Sequence, residues 1–149
     1  MSADKHRFGV YWQPAIWDLA RSAYLSDLDT DPSSPDTFLE WLARALDAHA
    51  RLTPADRVQL VNRVQESADS PQAGGRSGTT KSHPLPVDLL ERVDQALVRD
   101  RTEQGRLVSR SAFVQEAVAA AAATARKRRG RPLPPPPATL AQRPPRALR

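Results

Sequence analysis

The chain has 149 residues, 5% aromatic residues, 14 prolines and a formal net charge of +5. These totals exclude one large core spanning the whole length, and the lack of cysteine excludes a disulfide scaffold or a thiolate metal site. The start, MSADKHR, lacks the apolar centre of a signal peptide, and the longest apolar run, 117–123, is too short to span a bilayer. A soluble cytoplasmic protein is therefore expected.

The net charge hides an asymmetry. Residues 1–66 carry 7 basic and 10 acidic side chains, residues 67–125 carry 7 of each, and residues 126–149 carry 8 basic and no acidic ones. A cationic tail on a near-neutral body predicts an anionic polymer as partner, with double-stranded DNA the first candidate.

In chain order, HRFGVYW (6–12) alternates Phe8, Val10 and Trp12 against Arg7, Gly9 and Tyr11, the period of a strand. Pro14 opens a helix with Ile16, Trp17, Ala20 and Tyr24 at helical spacing, and DLDTDPSSPD is a loop by composition. Ser34 before Pro35 predicts the next helix start, with Phe38, Leu39, Leu42 and Leu46 as its apolar stripe. Thr53 before Pro54 starts a shorter helix carrying Val58, Val61 and Val64 to about Glu66. Residues 67–79 read as a flexible linker, and TTKSHPLP follows as a weak extended segment. Leu89, Leu90, Val93 and Leu97 mark a helix from Pro86, and Phe113, Val114, Ala117 and Ala121 mark another after the loop holding Gly105. Gly130 with Pro132 should stop that helix after Arg129, leaving the proline-rich remainder disordered and extended.

The same pattern is written twice. A shift of 73 residues lays Trp12 on Leu85, Ile16 on Leu89, Trp17 on Leu90, Ala20 on Val93 and Tyr24 on Leu97. A shift of 75 then lays Ser34 on Ser109, Phe38 on Phe113 and Leu42 on Ala117. A strand and two helices cannot bury both helical faces alone, whereas two copies can pair their strands and interlock four helices. The expected organisation is repeat 1 over 1–52, a short helix over 53–66, the linker over 67–79, repeat 2 over 80–125 and a basic tail over 126–149.

LPVDLLERVDQAL followed by SRSAFVQEAV resembles the ribbon-helix-helix family of the MetJ, Arc and CopG type, well over 80–125 and loosely over 6–50. That resemblance implies a mainly α fold in which a two-stranded antiparallel ribbon reads bases in the major groove. The unit would be a homodimer, or a single-chain pseudo-dimer when duplicated, and binding on DNA could be cooperative. Carried over, the outward base readers are Arg7, Gly9 and Tyr11 in one strand and Thr80 and Ser82 in the other. Pro84 cannot donate a hydrogen bond, and a slipped register would add Lys81 to the readers. The second helix's N-terminus would grip a phosphate through Ser109, Arg110 and Ser111, where the cap, the helix dipole and a full charge coincide. In the first repeat Pro35 and Asp36 replace the arginine and second serine, which weakens phosphate binding there.

KRRGRP, residues 127–132, resembles an AT-hook, implying that Arg128, Arg129, Gly130, Arg131 and Pro132 lie along an A·T-rich minor groove. The combination with a basic tail is similar to centromere-binding (ParB-type) partition proteins of actinobacterial plasmids. The implied roles are nucleoid- or plasmid-associated partition and transcriptional autoregulation, with antitoxin or conjugation accessory duty on the same scaffold as alternatives. A partition ATPase or a toxin would be the protein partner. A helical adaptor presenting its PPPP tail to a protein is the reading from another class. His6, His49 and His83 show no metal-ligand spacing and read as surface or partly buried residues. With no nucleophile elbow or phosphate-binding glycine loop, neither an enzyme nor a cofactor is expected.

Overall fold

A computed structural model describes residues 4–67, 77–140 and 144–146. Strand β1 (Lys5–Trp12) leads into α1 (Pro14–Thr30), α2 (Phe38–Arg51) and α3 (Pro54–Ser67); strand β2 (Thr79–Pro86) leads into α4 (Val87–Gln104) and α5 (Arg110–Arg129). The fold is mainly helical with one two-stranded antiparallel sheet. Most of the expected linker, residues 68–76, lies outside the described residues.

The strands pair within one chain, Lys5 opposite Pro86 and Trp12 opposite Thr79, with Gly9 opposite Ser82 at the centre. Alternation along β1 buries Phe8, Val10 and Trp12 and exposes Arg7, Gly9 and Tyr11. In β2 the inward row is partly polar. His83 is buried, accepts a hydrogen bond from Trp12 Nε1 at 3.0 Å, and lies edge-on to the Trp12 ring. Leu85 completes that row at 1% exposure.

Beneath the ribbon, the largest helix–helix contact is α1 on α5, followed by α2 against α4 and α5. The α5 face that is buried consists of Phe113, Val114, Ala117, Val118, Ala122 and Ala125. Small side chains let helix axes approach closely, and α1 supplies the bulk with Tyr24 and Leu28, both nearly inaccessible. No side chain of α1 is fully exposed.

Several local expectations are corrected. The α2 cap is Thr37, not Ser34: Thr37 Oγ1 accepts from the Glu40 N–H at 3.2 Å and donates to the Glu40 carboxylate at 3.0 Å. Thr37 thus satisfies one N–H of the helix end while the Glu40 carboxylate takes up its hydroxyl proton. Ser34 is instead buried in the preceding loop. Three later caps fall where expected, with Thr53 accepting from Asp56 N–H, Ser109 accepting from Ala112 N–H at 3.1 Å and Gly130 closing α5 at φ 74°. By contrast, α4 runs on through Gln104, into the stretch read as loop, before Gly105 closes it at φ 63°. Left-handed backbone there favours glycine over any residue with a Cβ.

The free-tail expectation is also corrected. Residues 131–140 form no regular element, but Leu133 and Leu140 pack on the core and Arg21 donates to the Pro137 and Ala138 carbonyls. Arg146 donates to the Asp31 and Ser34 carbonyls and to Asp36 Oδ1 at 2.7–2.8 Å. The causes are several: two leucines find apolar cover, an α1 arginine finds two carbonyls, and Arg146 meets a carboxylate in the loop after α1.

Candidate nucleic-acid interface

The solvent face of the ribbon is built by alternation alone. Lys5, Arg7, Gly9 and Tyr11 line one strand, and Thr80, Ser82 and Pro84 the other. Lys81 is on the opposite row, its Nζ 4.8 Å from the centre of the Trp17 ring, so its expected place among outward readers is corrected. The register explains it: Lys81 pairs with Val10, which is fully buried. A Cβ placed on Gly9 would meet no atom within 4 Å, so the middle of the ribbon is a low, open floor.

At the Tyr11 end, the N-terminus of α5 abuts β1. Tyr11 N–H donates to Ser111 Oγ at 2.9 Å, and Gln13 N–H donates to Gln115 Oε1 at 3.4 Å. Ser111 thus fastens helix to ribbon while its hydroxyl proton stays available. Arg110 makes two hydrogen bonds to Asp94, at 2.9 and 2.6 Å, and its guanidinium sits 5.6 Å from the Phe8 ring centre. Both Arg110 and Asp94 are well exposed. The hydrogen bonds to Asp94 raise the Arg110 pKa, so its charge is permanent. Such an exposed pair is worth about 1 kcal/mol or less, and a phosphate can exchange for the carboxylate. Tyr11 is 47% exposed and its hydroxyl accepts from the Gly78 N–H at 3.0 Å. A side chain at Gly78 would strike the Tyr11 ring, so the glycine permits this contact.

The Lys5 end is different. There β2 meets α2, and Lys5, Leu39, Glu40, Ala43 and Pro84–Pro86 border a narrow cleft. Pro84 lacks the N–H that would tie strand to helix as Tyr11 does at the other end. Asp36 and Glu40 flank the α2 N-terminus, so negative charge stands where Arg110 stands on α5.

The AT-hook residues are not an extended unit. Arg128 and Arg129 belong to the last turn of α5, with Gly130 as its cap. Arg128 pairs with Asp27 at 2.9 Å and with Asp31 at 3.5 Å, and Arg129 reaches Ser26 Oγ at 3.5 Å. Only Arg131 and Pro132 lie beyond the helix, both exposed. The helix wins because four basic residues in its last turn suit the dipole and the acidic end of α1 lies beside them.

Sequence reasoning missed a buried ionic cluster. Arg57 is fully inaccessible, pairs with the equally buried Asp100, and donates to the His49, Ala50 and Leu52 carbonyls. Asp100 also takes Arg106 at 2.6 Å, and Arg106 continues to Glu116, which meets His49 Nε2 at 3.3 Å. Burial alone would raise the Glu116 carboxyl, but hydrogen bonds from His49 and Arg106 hold it below its ordinary value. His49 and His83 are both buried, against the expectation of surface or partly buried rings. No local signal marks a partnership between residues 57 and 100.

Among the described residues, no group of acidic, histidine or cysteine side chains could hold a metal ion, and no helix is long and apolar enough to cross a membrane. No family model matches the chain, and no curated protein or solved structure gives a significant match.

Proposed function

We propose that this protein binds duplex DNA as a single-chain ribbon-helix-helix pseudo-dimer, with its ribbon in the major groove. The observation that carries the reading is the pairing of β1 with β2 in one chain, one face buried on helices and the other exposed. A two-stranded ribbon fits the major groove, and an exposed row of polar side chains on it has no packing role. The register adds support: a shift of 73 maps Gly9 onto Ser82, its own partner across the ribbon, as a two-fold axis between copies requires. The same shift maps Asp27 onto Asp100, and both are buried near the end of the first helix. Each accepts an arginine from the opposite copy, Arg128 in the last turn of its second helix for Asp27 and Arg57 in the helix that follows α2 for Asp100.

In this reading Arg7, Gly9, Tyr11, Thr80 and Ser82 face base edges, and Ser109, Arg110 and Ser111 hold a backbone phosphate. The two strands carry different residues at related positions, so the site is non-palindromic, unlike those of symmetric dimers. Titration of labelled duplexes from about 50 to 300 mM salt tests it. The expected outcome is one chain per site and affinity falling steeply with salt. Binding that is absent, or insensitive to salt, overturns the reading.

A further inference from the structure

We infer that base recognition is confined to one end of the ribbon, where Lys5 and Arg7 read guanines, while the Arg110–Ser111 end anchors phosphate without reading sequence. The inference rests on the DNA-binding reading and assigns the base class and its position. Lys5 stands one residue before the alternating stretch HRFGVYW.

Lys5 and Arg7 are both exposed and occupy successive outward positions of β1. Neither has a carboxylate partner among the described residues, whereas Arg21, Arg92, Arg106, Arg110 and Arg128 all do. Glu40 borders the same cleft as Lys5, and its carboxylate is engaged by the Thr37 hydroxyl. Across the ribbon stand Pro86 and Pro84, which carry no charge and no N–H donor, so nothing on β2 competes for the two cations. Among the described residues, the outward face at the other end offers the hydroxyls of Tyr11 and Thr80, and the Tyr11 oxygen is already accepting from Gly78.

The chemistry follows from donor count. Guanine presents two acceptors, N7 and O6, in the major groove, and arginine or lysine is the side chain that satisfies both. Hydroxyls donate or accept and discriminate little. Successive outward residues are about 6.7 Å apart along a strand, which spans about two base-pair steps. Two guanines within roughly three consecutive base pairs are therefore the expected signature. At the far end the fixed charge is on a helix N-terminus, Arg110, where it meets phosphate rather than base edges.

The experiment is selection from randomised duplexes with the full chain, followed by replacement of each recovered guanine with 7-deazaguanine, which lacks the N7 acceptor. Expected are guanines enriched at two positions on one side only, with each replacement weakening binding on the order of ten- to a hundredfold. R7A and K5A should each abolish the response at one position, while R99A, at an exposed ion pair of α4 off the ribbon, leaves both responses intact. Circular dichroism on each variant separates lost recognition from lost fold. DNA binding with guanines on both sides, or with no response to deazaguanine, overturns this inference and leaves the DNA-binding reading standing. No binding to any duplex overturns both.

Discussion

Asp27 and Asp100 hold matching places in the two halves of the molecule, yet their surroundings have little in common. Asp100 is sealed between Arg57 and Arg106 at 0% exposure. Asp27 meets the neutral Trp41 Nε1 at 2.8 Å and the partly exposed Arg128. Burial raises the Asp27 pKa, opposed by the Trp41 hydrogen bond and the Arg128 charge. The contrast extends outward. Seven of the eight aromatic residues lie within the first 41 positions, whereas α5 presents mainly alanine and valine to the core. One half brings volume and the other makes room for it. A pattern of strand and two helices can therefore be kept while each half's interior is solved differently, because packing needs only the summed volume and paired charges to match.

The sharpest way to break this comparison is to neutralise each carboxylate. Asp100→Asn leaves a buried guanidinium uncompensated and should cost about 3–5 kcal/mol in urea unfolding. Asp27→Asn should change stability by less than about 1 kcal/mol, because the folded state already disfavours its charge. Equal losses would remove the distinction between the halves.

The docked C-terminal segment is the next lever. Truncation after Gly130 keeps α5 whole but strips Leu133 and Leu140 from the core. A loss of about 1–2 kcal/mol is expected from that partial burial. Unchanged unfolding would mean the segment rides on the surface without contributing. Truncation after Ala125 would instead cut through α5 itself and mix two effects.

The two helix N-termini give a finer test. Thr37→Ala and Ser109→Ala should each cost about 1 kcal/mol as lost caps. They should differ in DNA binding, measured as the slope of log affinity against log salt. Disturbing the α5 end through Arg110→Ala should lower that slope by about 0.9, and Thr37→Ala should leave it unchanged. Matching slopes in both variants would equate the two ends.

The smallest effect contrasts the inward residues Val10 and His83. Burial, with help from Lys81, lowers the His83 pKa below its ordinary 6.5. The unfolded chain then takes up the proton first, so stability is full above pH 6.5 and declines as pH falls through the lowered value. His83→Gln keeps an acceptor for Trp12 and should flatten this decline in thermal unfolding. A later acid limb should survive in the variant. Asp31, held below 3.8 by its Ser33 hydrogen bonds despite burial, and Glu116, held below 4.5, both lose their contributions on protonation. An unchanged profile would take His83 out of the acid response.

Much of the local architecture was legible. The alternation at 6–12 and the stripes of Leu42 and Leu46 or Leu89 and Val93 state their faces directly. So do the Gly130 stop and the Ser109 cap. The α2 start was misjudged because Ser34–Pro35 outranked the Thr37 cap three residues later, although both were written in the chain. The candidate interface was legible only in part: the row of Arg7, Gly9 and Tyr11 follows from a period of two, and Thr80 and Ser82 from the family resemblance. Lys81 was ambiguous until Val10 stood opposite it.

Local sequence by itself determined the elements, their apolar faces and the uneven distribution of charge, since periodicity and capping act over a few residues. Which charges meet was decided only in three dimensions. Arg57 finds Asp100, Arg128 finds Asp27, and Arg146 docks on the loop between α1 and α2 at Asp31, Ser34 and Asp36. A buried or docked charge must find its opposite wherever the fold brings one close, and residues 43 or 101 positions apart leave no trace of that in their neighbours.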